Sequence, residues 1–241
     1  MIKDTPIVDF HAHVIPHADH GCQDASVLAS QLSLMKKHGT DTVVATPHFY
    51  PHVHRVPDFI SRVNSSLQEL DPHMLEGAPE IKLGAEVLIC EGLDKMDGIE
   101  KLCIRGTRLL LLELPQNKIT DEHMETVEAL MDSGYTVMLA HIDRYLGHFH
   151  NEIDALLSIG ALAQVNADAV RHPLIMGRIK KYLEKTDSIC ALGSDLHGCD
   201  KRDYTCFGML PKAFKDHFGE VMNRSLSLLE NSKSLSFQTK S

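Results

Sequence analysis

Short apolar runs alternate with helically spaced segments along almost the whole chain, and this alternation constrains the fold more than any other feature. The runs are PIVDFHAHV (6–14), DTVVATPH (41–48), IKLGAEVLI (81–89), RLLLLELP (108–115), YTVMLAHI (135–142), ALAQVNAD (161–168) and SICALGSDLH (188–197). Several are separated by segments with the spacing of an amphipathic helix. ASVLASQLSLMKKHG (25–39) sets Val27, Leu28, Leu32 and Met35 on one face. PDFISRVNSSLQEL (57–70) opens on a proline suited to a first helical turn, and DEHMETVEALMDSG (121–134) ends on a capping glycine, Gly134. A run such as LLLLEL suits a strand buried on both faces, as in a parallel sheet covered by helices. About seven β-then-α units in succession predict an α/β chain, folded as a barrel or as a doubly wound sheet.

No linker-like stretch or internal repeat divides the 241 residues. The expectation is one domain over 1–230 with a polar tail, NSKSLSFQTKS (231–241). The net charge of -9 lacks the basic surplus of a nucleic-acid binder. No apolar run is long enough to insert in a membrane, and the start MIKDTPIVDFHAH does not read as a signal peptide. The six cysteines include no CxxC pair, so a cytoplasmic protein is expected, with Cys90, Cys103 and Cys190 packed as small hydrophobes.

Histidine is the unusual component: there are 16, against no tryptophan. Imidazole is the commonest protein metal ligand. Nearly every predicted strand ends in a potential ligand: His11 and His13, His48, Glu86, Glu113, His141, then Asp195 and His197. Functional groups of α/β barrels gather at the carboxyl ends of the strands. Residues i and i+2 on a strand share a face, so His11 and His13 are expected to grip one ion, and likewise Asp195 and His197. A glutamate inside LLLLELP is costly to bury unless paired or metal-bound.

Other readings exist for single residues. Glu113 could pair with Arg108, Glu86 could face water, and His48 or His141 could be hydrogen-bonded core residues. His52, His54, His148 and His150 fall in loops just beyond strand ends. Taken together, the nitrogen and oxygen donors suit Zn, Mn or Fe, and their number exceeds what one tetrahedral ion uses. Arg144 and Arg202 follow ligand-bearing strand ends, where guanidinium groups could clamp a phosphate.

In order, DFHAHVIPHADHG, ATPH, LGAEV, LLLELP, AHIDRY and GSDLHGCDKR resemble the PHP (polymerase and histidinol phosphatase) superfamily. Within it they are most similar to the manganese-dependent protein-tyrosine phosphatases of capsule and exopolysaccharide operons, the CpsB/YwqE group. The resemblance implies a distorted (β/α)7 TIM-like barrel of the PHP type and a centre of three divalent ions, Mn or Fe ahead of Zn. It places His11, His13 and Asp195 on a first ion, and Glu86, Glu113 and His141 as bridging and second-ion ligands. His48 and His197 fall to a third ion, and Arg144 and Arg202 to the phosphate. The family usually has Asp-Asp-Gly where this chain reads Asp19-His20-Gly21. His20 is therefore expected as a third-ion ligand, with Asp19 turning inward in its place as the alternative.

The expected reaction is hydrolysis of a phosphate monoester by water activated on the metals, with phosphotyrosine as substrate and a bacterial tyrosine kinase as its bearer. Oligomers are compatible with this. His20 and Asp143 are candidates for the acid that protonates the leaving group. A cysteine-based mechanism needs Arg six positions after Cys, and those positions hold Leu28, Met96, Leu109, Leu196, Thr205 and Lys212. The competing functions are a histidinol-phosphate type of small-molecule phosphatase and a non-catalytic metal-binding regulator.

Overall fold

A computed structural model describes residues 5–198 and 204–230. Each of the seven apolar runs is a strand or a strand interrupted once. The first run is β1 (Val8–His13). The second is β2 (Thr42–Ala45), then β3 (His48–Phe49) after Thr46 and Pro47. The third is β4 (Glu80–Leu83), then β5 (Glu86–Leu88) after Gly84 and Ala85. Three continuous strands follow: β6 (Leu109–Glu113), β7 (Thr136–Leu139) and β8 (Leu162–Asn166). The last run is β9 (Ile189–Gly193), then β10 (Leu196–His197) after Ser194 and Asp195.

Every neighbouring pair is parallel, in two ladders ordered β10-β1-β2-β4 and β3-β5-β6-β7-β8-β9. The chain runs on from β2 to β3, from β4 to β5 and from β9 to β10. The two ladders are therefore one circuit, and the doubly wound alternative falls away in favour of a barrel. At the last break Asp195 donates its backbone N–H to the His11 carbonyl at 2.7 Å, which carries the hydrogen bonding across the closure.

The crossovers are α1 (Ala25–Lys37), α2 (Val56–Gln68), α3 (Asp121–Asp132), α4 (His150–Ser158) and α5 (Pro173–Lys185), with α6 (Thr205–Phe214) and α7 (Asp216–Leu229) after the last strand. Asp24 caps α1 by accepting from the Ser26 and Val27 amides at 2.8 and 2.9 Å. The third crossover has no α-helix. Two 3-10 turns, Leu93–Lys95 and Ile99–Leu102, fill it, and this is where the barrel departs from a regular β/α repeat. All five residues of β6 are buried, as an unalternating apolar run requires. Cys103 and Cys190 are buried in the core and Cys90 is partly buried against it. The expected tail lies outside the described residues.

Close packing inside the barrel shows at Gly193, the last residue of β9. A Cβ there would stand 2.6 Å from His11 Cβ and 2.7 Å from Gln164 Nε2. Gly177, on the exposed side of α5, has nothing within 4 Å of its Cβ position. Alanine at the two sites should therefore act in opposite directions. Gly193→Ala should lose about 1–3 kcal/mol through overpacking, whereas Gly177→Ala should gain about 0.5–1 kcal/mol through helix propensity. Urea unfolding of both variants checks the pair.

Candidate metal and active site

The carboxyl ends of the strands converge on one buried cluster. His11, His13, Glu86, His141 and Asp195 are at most 1% exposed, and His48, Glu113 and His197 are 8% or less. Their donor atoms form four overlapping groups: His13, His48 and His197; His11, His13 and Asp195; His11, Glu86 and His141; and His48, Glu86 and Glu113. His11 and His13 do share a group, their Nε2 atoms 3.2 Å apart. Asp195 and His197 do not. Asp195 joins the first pair, while His197 faces His48 across 3.3 Å between Nε2 atoms. The same-face rule fails for them because Asp195 lies in the strand break with φ of 51° and is not extended. His141 is also left-handed, at φ 34°. Such a backbone in a non-glycine residue is strained, and it turns each side chain out of the strand direction into the cluster.

A layer of hydrogen bonds sets the imidazole orientations. The His13 Nδ1 lies 2.6 Å from Asp19 Oδ2 and the His11 Nδ1 3.2 Å from Gln164 Oε1. The His197 Nδ1 lies 2.9 Å from the Asp195 carbonyl. With protons on those Nδ1 atoms, each Nε2 presents a lone pair to the centre, as metal-bound histidines require. Gln164 Oε1 also accepts from the His141 amide at 2.6 Å. Its amide group donates to Asn166 at 2.9 Å, and Asn166 donates to Asp195 Oδ2 at 3.1 Å. Below the cluster, the buried Asp9 accepts from the Ser194 amide at 2.8 Å and the Tyr204 hydroxyl at 3.0 Å, holding the strand break that carries Asp195.

A cation fits these residues. Glu86 Oε2 lies 2.8 Å from His48 Nδ1 and 3.3 Å from both His11 Nε2 and His13 Nε2. None of these contacts is a hydrogen bond, and Glu86 Oε2, His48 Nδ1 and His141 Nδ1 are buried polar atoms with no hydrogen-bond partner. Each such atom costs about 1–3 kcal/mol unless something satisfies it. Burial works to raise the Glu86 carboxyl, but His11, His13 and His141 hold it well below the usual range. Glu113 goes the other way: burial and the neighbouring Glu86 push it up to about 7. Burial pushes His141 down to about 4, so it is neutral at physiological pH. Burial opposes protons on His11 and His13, but in the protein alone the carboxylates Glu86, Asp195 and Asp19 favour them. A divalent ion would replace those protons, and imidazoles around carboxylates with nitrogens pointed at shared space are its donor set.

Arg144 enters from the 3-10 turn Ile142–Arg144, which follows β7. Its side chain is 28% exposed at the edge of the cluster and is ion-paired with Asp195. Arg202 lies outside the described residues. Arg108 is not Glu113's partner: it donates to the Gly134 and Ser133 carbonyls at 2.8 and 2.7 Å and lies over the Tyr135 ring. Asp143 is buried, accepts from the Asn166 amide at 2.8 Å, and is pushed up to about 7 by burial.

Asp19 and His20 divide the roles expected of one residue. Asp19 turns inward, with its oxygens engaged by His13, by the Gly21 amide at 2.7 Å and by the His48 amide at 2.8 Å. Burial opposes its ionisation, but these donors hold it well below the usual range. His20 is exposed, belongs to none of the four groups, stacks on the His48 ring at 5.1 Å and lies tilted against the His197 ring at 4.8 Å.

Over residues 7–235 the chain matches the family described as capsular polysaccharide synthesis, CpsB/CapC. It belongs to the CpsB/CapC family. The putative tyrosine-protein phosphatase CapC of Staphylococcus aureus is 28% identical over 239 residues, covering 94% of this chain and 90% of that protein. The tyrosine-protein phosphatase CpsB of Streptococcus pneumoniae is 23% identical over 208 residues, covering 81% and 85%. Among solved structures, the YwqE from Bacillus subtilis and CpsB from Streptococcus pneumoniae work, described as metal-dependent tyrosine phosphatases, gives a TM-score of 0.76 at 20% identity, covering 95% of this chain and 96% of that one. A histidinol phosphate phosphatase from Lactococcus lactis, complexed with zinc, L-histidinol and phosphate, gives 0.53 at 15% identity, covering 93% and 92%. These likenesses establish a shared barrel fold.

Gln164 and Asn166 went unrecognised in the sequence as parts of the CpsB/CapC site. ALAQVNAD carries them two positions apart, the same spacing that marks His11 and His13, in a strand otherwise apolar. Asp19 was visible only as a rival ligand to His20. If it orients His13 and does not bind metal, Asp19→Asn should keep the fold but lower metal affinity about 10–100-fold. Metal titration alongside circular dichroism checks this.

Proposed function

We propose that this CpsB/CapC chain is a metal-dependent protein-tyrosine phosphatase of capsule or exopolysaccharide synthesis, acting on a tyrosine-phosphorylated bacterial kinase. The observation that carries the reading is the overlap of four ligand groups beside an exposed arginine, in a chain whose curated relatives are tyrosine-protein phosphatases. Shared residues between groups favour more than one ion, and three is the number that the resemblance implies. The nitrogen and oxygen donors favour Mn or Fe, with Zn next. A cytoplasmic site of action suits the thiols of Cys90, Cys103 and Cys190 and the absence, among the described residues, of any helix long and apolar enough to cross a membrane.

When bound, the ions would supply an activated water at neutral pH and neutralise phosphoryl oxygens. The chain's own residues do the rest. His11, His13, Glu86, Glu113, His141, His48, Asp195 and His197 provide the donor atoms, and Gln164, Asn166 and Asp19 keep them aimed. Arg144 holds the phosphoryl group where negative charge develops, its guanidinium already oriented by Asp195. The leaving phenolate, with a tyrosine pKa near 10, makes a modest demand on a general acid.

Chelation should abolish hydrolysis of a phosphotyrosyl peptide and Mn or Fe should restore it, while thiol alkylation leaves it intact. Inactivation by the alkylating agent alone would refute the metal mechanism. Histidinol phosphate, assayed in parallel, separates the small-molecule reading, and bound metal without turnover of either substrate would support a regulator. Arg144→Ala should lower kcat/KM about 10²–10³-fold with bound metal retained. Arg144→Lys should recover part of that loss, because a point charge lacks the two-pronged contact. Equal loss of metal and activity in both variants would make Arg144 structural.

A further inference from the structure

We propose that His20 and Tyr50 form an aryl-binding wall at the mouth of the cluster, which receives the phenyl ring of phosphotyrosine and sets a preference for aryl over alkyl phosphomonoesters. This rests on the phosphatase reading and adds to it the residues that choose the substrate class. The aryl ring of such a substrate is one oxygen away from phosphorus. Once the phosphoryl group is held between the cluster and Arg144, the ring must lie against whatever borders the mouth. Two aromatic side chains do so without belonging to any ligand group: His20, exposed after β1, and Tyr50, half-buried after β3.

Both rings lie near-parallel to the ligand candidate His48. His20 lies 5.1 Å from His48 at an interplanar angle of 10°, and Tyr50 lies 5.1 Å from His48 at 19°. His54 lies near-parallel to Tyr50 in turn, at 5.9 Å and 24°. Tyr50 is thus stacked against two imidazoles and offers an incoming ring its edge, for the T-shaped contact that aromatic pairs also favour. These separations are those of favourable offset stacking. The Tyr50 segment is rigid as well. The Tyr50 amide donates to His54 Nδ1 at 3.1 Å, and the Val53 and His54 amides return to the Tyr50 carbonyl at 2.9 and 2.8 Å. A ring fixed in advance loses little freedom when a ligand arrives. Val53 in the same loop is 65% exposed, one of few large apolar side chains among the described residues left to solvent. It extends the wall toward residues flanking a phosphotyrosine.

Phenylphosphonate and methylphosphonate, neither of which turns over, isolate the ring's contribution when their binding to the metal-loaded protein is measured by calorimetry. The wild type should prefer the phenyl compound. Tyr50→Ala should reduce that preference about 3- to 10-fold, with methylphosphonate affinity unchanged, and Tyr50→Phe should retain it. His20→Ala should behave like Tyr50→Ala with metal content intact. In turnover, Tyr50→Ala should raise KM for a phosphotyrosyl peptide by the same factor and leave kcat nearly unchanged. Equal weakening of both phosphonates, or a preference that survives both alanine variants, overturns the wall. Metal loss in His20→Ala would return His20 to ligation and overturn its share. A wild type that turns over no phosphotyrosyl peptide and binds neither phosphonate removes the phosphatase reading itself, and the wall with it.

Discussion

Glu86 stands where the imidazoles of His11, His13, His48 and His141 converge, with a second carboxylate, Glu113, close enough to raise its own pKa. In a medium as dry as a barrel interior, such groups are tolerable only when lone pairs and charges share a common counterion. The three strand breaks can be read as responses to that demand. Each comes where a strand must stop extending so that the next residues can turn a donor inward: His48 after Pro47, Glu86 after Ala85, Asp195 after Ser194. The ladders change partners at those points, and the barrel closes as a result.

Around the donors, a second set of side chains removes choice. Asp19, Gln164 and the Asp195 carbonyl occupy the Nδ1 sides of three histidines, so only one ring nitrogen of each faces the centre. Asp9 and Tyr204 hold the Asp195 break from beneath. Arg144 is pinned by the same Asp195 that belongs to a ligand group, so the guanidinium and the donor cluster share a side chain. The positive charge at the edge and the donor atoms within are thereby set at a fixed relation to each other.

Much of this was legible in the chain. The seven apolar runs correspond to the seven strand units, and the residues singled out at their ends are the ones that meet. Helix placement held to within a residue or two for α1, α2 and α3, where caps and spacing agree. The missing helix of the third crossover left no periodic signal to read, only an irregular stretch between two strands. The Asp195–His197 pairing misled because an i, i+2 rule presumes an extended backbone, and left-handed conformation at a non-glycine residue is a product of tertiary packing. Gln164 and Asn166 were hidden by their neutrality, since amides in a strand look like ordinary polar interruptions until their partners are known.

Asp19 joins two strand ends through one side chain, bonding the His13 ring of β1 and the His48 amide of β3. The mouth of the barrel is thus stitched by hydrogen bonds that owe nothing to an ion. In zinc-finger-like domains the metal ties the chain ends together; here part of that work falls to a carboxylate of the chain itself. A donor set of imidazoles and carboxylates suits several divalent ions of similar size, so which one such a site holds depends on the cations on offer as well as on the polypeptide.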